Sequence, residues 1–161
     1  MKRLITTLYA ILCFYIFLGI IGIIGFIKEL YILFHNSILE SNLDITEVIF
    51  SFLKLWVVAY LMYHFYRFSR VVNKLEEKSF FNKVNGISFK KTGRAIILFV
   101  ILNLTLSTIH TAIIKSNESF TKLPEEFVAN IVLLMMALFL LIISHLIQNG
   151  YQLKKENELT I

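Results

Sequence analysis

The run FVANIVLLMMALFLLIISHLI, Phe127 to Ile147, contains no Asp, Glu, Lys or Arg in 21 residues. As an α-helix rising ~1.5 Å per residue it is about 31 Å long, which matches the ~30 Å hydrocarbon core of a bilayer. Its apolar residues run around the whole circumference instead of forming one stripe, the mark of a helix buried on all sides, here by lipid. Three more runs of similar length lie upstream, Leu4 to Ile27, Ile45 to Phe65 and Ala95 to Ile114. Strands of a membrane barrel would alternate polar and apolar residues over ~10 positions, and these runs do not. Lipid offers no partner to an unpaired backbone group, so each run is expected to be a helix.

Composition agrees. With 57% hydrophobic and only 17% charged residues, the 161-residue chain has too few charges to cover a soluble domain. The expected fold is an all-α membrane protein, one domain over residues 1–161, with four transmembrane helices in an antiparallel bundle. The first run is longer than the ~7–15 apolar residues of a secretory signal, and no small-residue cleavage site follows Gly25, so the first helix is expected to be retained. Cys13 is the only cysteine, which excludes an internal disulfide, and it is expected to be a small packing residue. Trp56, deep in the second run, is expected to pack between helices, and the tyrosines near the run ends to sit at the interfaces.

Charge orients the helices. Lys2 and Arg3, eight basic residues from Arg67 to Arg94, and Lys154 with Lys155 place twelve on one side, against Lys28, Lys115 and Lys122 on the other. By the positive-inside rule the N-terminus, the middle segment and the C-terminus are cytoplasmic. Asp44 with Glu47, and Pro124 before Glu125 and Glu126, read as the starts of the second and fourth helices.

Within the middle segment Phe81, Asn85, Phe89 and Gly93 recur every fourth residue, with Lys83, Lys90 and Lys91 largely elsewhere. That spacing predicts a cytoplasmic amphipathic helix between helices 2 and 3, lying on the membrane surface. Its basic residues read either as topogenic charge held against anionic headgroups or as a docking surface for a cytosolic protein. No nucleic-acid-reading motif accompanies them, and direct nucleic-acid binding is not expected.

The Phe81-x3-Asn85-x3-Phe89-x3-Gly93 pattern, with the tail Gly150-x2-Leu153 and Glu158-Leu159-Thr160-Ile161, resembles a family of bacterial membrane proteins known as domain of unknown function 2975. Phe89 stands where those proteins usually have Leu, and Ser79 where a proline is frequent. The resemblance implies no catalytic residue. It does imply a link to regulation, because such proteins are often encoded beside small helix-turn-helix regulators.

Inside the spans, Lys54 lies about nine residues into the second run, deep enough that its charge marks a candidate site. On the third, Asn103, Ser107, His110 and Thr111 form a polar stripe. Two readings compete: hydrogen-bonding glue between helices, and a small polar cavity for a ligand or ion. His35 is expected in an outer loop, and His64 and His145 at a shared depth. Two histidines without a carboxylate or thiol nearby make a poor metal site, so no metal or cofactor is expected. With no cluster of titratable groups for catalysis, the expected function is non-enzymatic, a membrane sensor or regulatory partner of a cytosolic regulator. The alternatives are a small transporter or channel-like module, and an immunity or stress-protection protein.

Overall fold

The computed structural model describes residues 2–40, 45–75, 80–114 and 117–159. They form four helices, α1 Lys2–Glu40, α2 Ile45–Asn73, α3 Lys83–Ile114 and α4 Asn117–Leu159. Each contains a stretch long and apolar enough to cross a membrane, so this is a multi-pass membrane protein. The helices outrun the predicted spans. The 43 residues of α4 extend about 64 Å at ~1.5 Å per residue, twice the hydrocarbon thickness. Pro124 consequently lies inside α4, not in its first turn. Asp44 lies outside the described residues, while Glu47 does occupy the first turn of α2.

Neighbouring helices run antiparallel, as the cross-helix contacts show. Phe50 near the start of α2 meets His110 near the end of α3, with ring centroids 5.2 Å apart, and Phe68 meets Phe89 near the start of α3 at 4.8 Å. The buried residues of α2, Phe50, Val57, Leu61, Phe65, Phe68 and Val72, follow a spacing of three and four with Lys54 filling the gap after Phe50. This is the seam of a helix packed lengthwise on a neighbour. Trp56 is off this seam and 75% exposed, which corrects its expected place between helices. Cys13 likewise faces outward. In a bilayer lipid covers both, and an apolar ring or thiol does as well there as against protein.

The expected bundle is open. α1 packs on α2, α2 on α3 and α3 on α4, but among the described residues no Cα of α1 comes within 8 Å of α3 or α4, nor one of α2 within 8 Å of α4. The helices form a row in chain order, with α3 covered on two sides. Among the described residues Leu12 is the buried one of α1, and Phe14, Phe17, Ile24 and many others are exposed to lipid.

The most extensive seam joins α3 to α4. A Cβ at Gly86 would lie 2.8 Å from Gln148 Cγ, one at Gly93 would lie 3.0 Å from the Ala137 carbonyl, and one at Gly150 would overlap the Phe81 ring. Without side chains at these positions the backbones approach closely, which replaces the hydrophobic drive that lipid does not provide. Ser144 Oγ donates a 2.7 Å hydrogen bond to the Gly86 carbonyl across the seam.

The separate surface helix expected between the second and third spans is not formed. Residues 83–93 are the first turns of α3, continuous with its membrane stretch, and the connection from α2 is only residues 74–82. The four-residue pattern is real but faces protein. Phe81 lies on Gly150, Phe89 on Phe68 and Gly93 on Ala137, while Asn85 Nδ2 donates to the Phe80 carbonyl at 3.2 Å. The helix starts at Asn82, whose Oδ1 accepts the Val84 amide at 3.1 Å as an N-cap does. At the far end Leu159 is 77% exposed and packs on nothing, and Thr160 and Ile161 lie outside the described residues.

Overfilling a packed seam costs ~1–3 kcal/mol. Gly93→Leu and Gly150→Leu are therefore expected to lower unfolding stability in detergent by about that amount, whereas Gly22→Leu and Gly25→Leu, where a side chain meets nothing within 4 Å, should change it by less than ~0.5 kcal/mol. Equal effects in the two pairs would argue against the seam.

Candidate functional site

The polar residues of the spans are distributed over two helix interfaces. On the α4 side, Asn103 Nδ2 donates a long 3.4 Å hydrogen bond to Asn130 Oδ1, and Asn130 is itself buried. On the α2 side, His110 presents its ring to Phe50. Thr111 donates back to the Ser107 carbonyl at 2.9 Å, so its hydroxyl serves its own helix. Ser107 Oγ is buried and, among the described residues, has no hydrogen-bond partner.

Lys54 is half-buried on the α2 seam, between Phe50 and Val57. The Phe50–His110 contact fixes its level. Lys54 lies one turn inward from Phe50, and Ser107 lies nearly one turn inward from His110 on the antiparallel neighbour. Lys54 and Ser107 therefore stand at a similar level along their two helices. Asn103 also lies near this level but is bonded towards α4. Of the five predicted residues, then, Lys54 and Ser107 stand at a similar level on neighbouring helices, and Asn103, His110 and Thr111 have other partners.

The second predicted set, Phe81, Asn85, Phe89, Lys90, Lys91 and Gly93, divides in the same way. The two phenylalanines, Asn85 and Gly93 build the packing described above, while Lys90 and Lys91 are exposed on opposite flanks of α3. Lys91 lines a cleft of about 250 Å³ between α2 and α3 with His64, Arg67, Ser88 and Thr92. Lys90 lines one of about 270 Å³ between α3 and α4 with Arg94, Ser144, His145 and Gln148. His64 and His145 thus sit on opposite sides of α3 and cannot share a ligand. His35 belongs to α1, stacked on Tyr31 with centroids 6.1 Å apart, and not to a loop.

Asn130 and Ser144 escaped the sequence reading although each left a signal, a lone polar residue inside the apolar run Phe127 to Ile147. The cleft formed by His64 and Arg67 left none, because Lys91 reaches it from a different helix.

Interhelical polar contacts in membranes average ~0.6 kcal/mol and reach ~1.7. Asn130→Ala is expected to destabilise by an amount in that range. Lys54→Met should be neutral or stabilising, since exchanging a buried charge for an apolar chain of similar length often is. Both are read by reversible unfolding in detergent. A loss above ~3 kcal/mol for Lys54→Met would mean that a buried ion pair had been broken.

No curated protein and no solved structure matches the chain. A family model, Protein of unknown function (DUF2975), matches residues 3–161, and the chain belongs to that family.

Proposed function

We propose that this is a non-enzymatic membrane protein with its N-terminus, its α2–α3 connection and its C-terminus in the cytoplasm, and that the projecting ends of α3 and α4 receive a cytosolic regulatory protein. The orientation rests on the twelve-to-three distribution of basic residues. A span of ~20 residues beginning at Ala95, and one ending at Ile147, leave residues 83–94 of α3 and 148–159 of α4 outside the hydrocarbon. Each stretch reaches about 18 Å at ~1.5 Å per residue, well past the headgroups.

The observation that carries the reading is what this projection exposes. Val84 is 63% and Leu153 62% exposed, and Phe81 and Ile87 are also open, among Lys83, Lys90, Lys91, Lys154 and Lys155. Beyond the spans these apolar surfaces, including the part of Phe81 not packed on Gly150, are open to a partner that would bury them. Regulators encoded beside similar proteins supply the class of partner by analogy.

A second reading, a small transporter or channel-like module, draws support from Ser107 and Lys54 at a similar level. The open row of helices counts against it, since a single chain encloses no lumen between α1 and α4.

Crosslinking in native membranes followed by copurification is expected to recover a regulatory protein with the unaltered chain. Val84→Glu with Leu153→Glu, both at exposed positions, should abolish recovery while leaving membrane insertion and unfolding temperature unchanged. Solute flux in proteoliposomes that survives this double variant and is lost in Lys54→Met would establish the second reading instead.

A further inference from the structure

We infer that the cleft between α2 and α3 is a phosphate-binding site at the membrane surface. It goes beyond the partner reading and does not depend on it. Three groups from two helices converge there, Arg67 and His64 of α2 and Lys91 of α3. Among the described residues no carboxylate lines the cleft, and α3 carries no Asp or Glu anywhere along its length. The one acid of α2, Glu47, is at the opposite end of that helix. Facing cations repel unless an anion lies between them, so the arrangement is completed by a negatively charged ligand.

The remaining lining narrows the chemistry. Ser88 and Thr92 already donate their hydroxyl protons to the Val84 and Ser88 carbonyls, at 3.0 Å each. The donors left for a ligand are the His64 ring, the Arg67 guanidinium beyond its one 3.4 Å bond to the Tyr63 hydroxyl, and Lys91, and the last two are a fork and a point charge that suit a phosphate oxygen set. A volume of about 250 Å³ is below the ~300 Å³ at which sites for drug-sized molecules begin, and it fits one phosphate group with a small substituent.

The depth points to the membrane surface. A span of ~20 residues from Ile45 ends at Phe65, so His64 and Arg67 lie at headgroup level. Tyr63 and Tyr66 stand exposed at the same level, with the Arg67 and Arg70 guanidinium groups over their rings at 5.8 and 4.6 Å. Such an Arg and aromatic belt is the surrounding of a lipid phosphate. A lipid headgroup and a soluble phosphate present the same oxygens, and the experiment separates them.

The full chain is exchanged into neutral detergent, and retained lipid is counted by native mass spectrometry with phosphatidylglycerol and with phosphatidylcholine. Inorganic phosphate is titrated in parallel. Phosphatidylglycerol retained over phosphatidylcholine, with Arg67→Gln and Lys91→Gln each weakening it roughly ten-fold and Lys154→Gln leaving it unchanged, supports a lipid phosphate. Inorganic phosphate binding that depends on the same two residues, without preference between the lipids, supports the site with a soluble source. Equal losses in all three variants, or no dependence on Arg67 and Lys91, would overturn the proposal. Should a variant fail to fold, protection of Lys91 in the unaltered chain from an amine-reactive reagent by phosphatidylglycerol or phosphate gives the same answer, and unprotected Lys91 overturns it.

Discussion

The close approach of α3 and α4 sets the rest of the structure. In lipid the hydrophobic effect does not press helices together, so contact comes from fit, and fit here comes from missing side chains at Gly86, Gly93 and Gly150 with Ala137 opposite. Because the seam runs from Gly93 through Gly86 to Phe81 and Gly150, it continues beyond the most apolar stretches and holds the two polar helix ends together. The Asn82 cap and the Ser144 bond to the Gly86 carbonyl fix the same end. With α3 held on one side by α4, its other side is free for α2, where Phe68 and Phe89 make an edge contact.

This places the basic residues on a rigid frame. Lys90 and Arg94 fall on the α4 flank of α3, and Lys91 on the α2 flank opposite Arg67. A flexible linker of the same composition would spread its charge by mutual repulsion. Here the helices hold like charges on one cleft, which is the ground for the anion site proposed between α2 and α3. In the span, the half-buried Lys54 and the buried hydroxyl of Ser107 are a second conflict between local chemistry and surroundings.

The four spans were legible in the sequence because lipid imposes length and apolarity without regard to tertiary structure. Helix ends were not, because hydropathy falls at Arg67 while the helix does not end there. Phe65, Phe68 and Val72 continue the three-and-four spacing to Asn73, and that spacing was the available signal. In the pattern from Phe81 to Gly93, Asn85, Phe89 and Gly93 lie on α3 and Phe81 just before it, and what covers these residues is protein. Periodicity identifies a face and does not say what covers it. The same limit explains Trp56 and Cys13, since lipid and protein interior are equally apolar to a side chain. Lys54 on the packing seam was within reach of the sequence, whereas the division of the polar stripe between Asn130 and Phe50 depended on where α2 and α4 lie.

Residues 83–94 are the packed start of α3 and not a separate helix on the membrane surface. Amide hydrogen exchange of the protein in lipid nanodiscs tests this most directly, because it reads the backbone structure residue by residue. The account predicts slow exchange from Ser88 through Arg94, comparable to the start of the span at Ala95, with fast exchange confined to the connection before Asn82. Uniformly fast exchange across residues 83–94, with protection beginning only at Ala95, would contradict it.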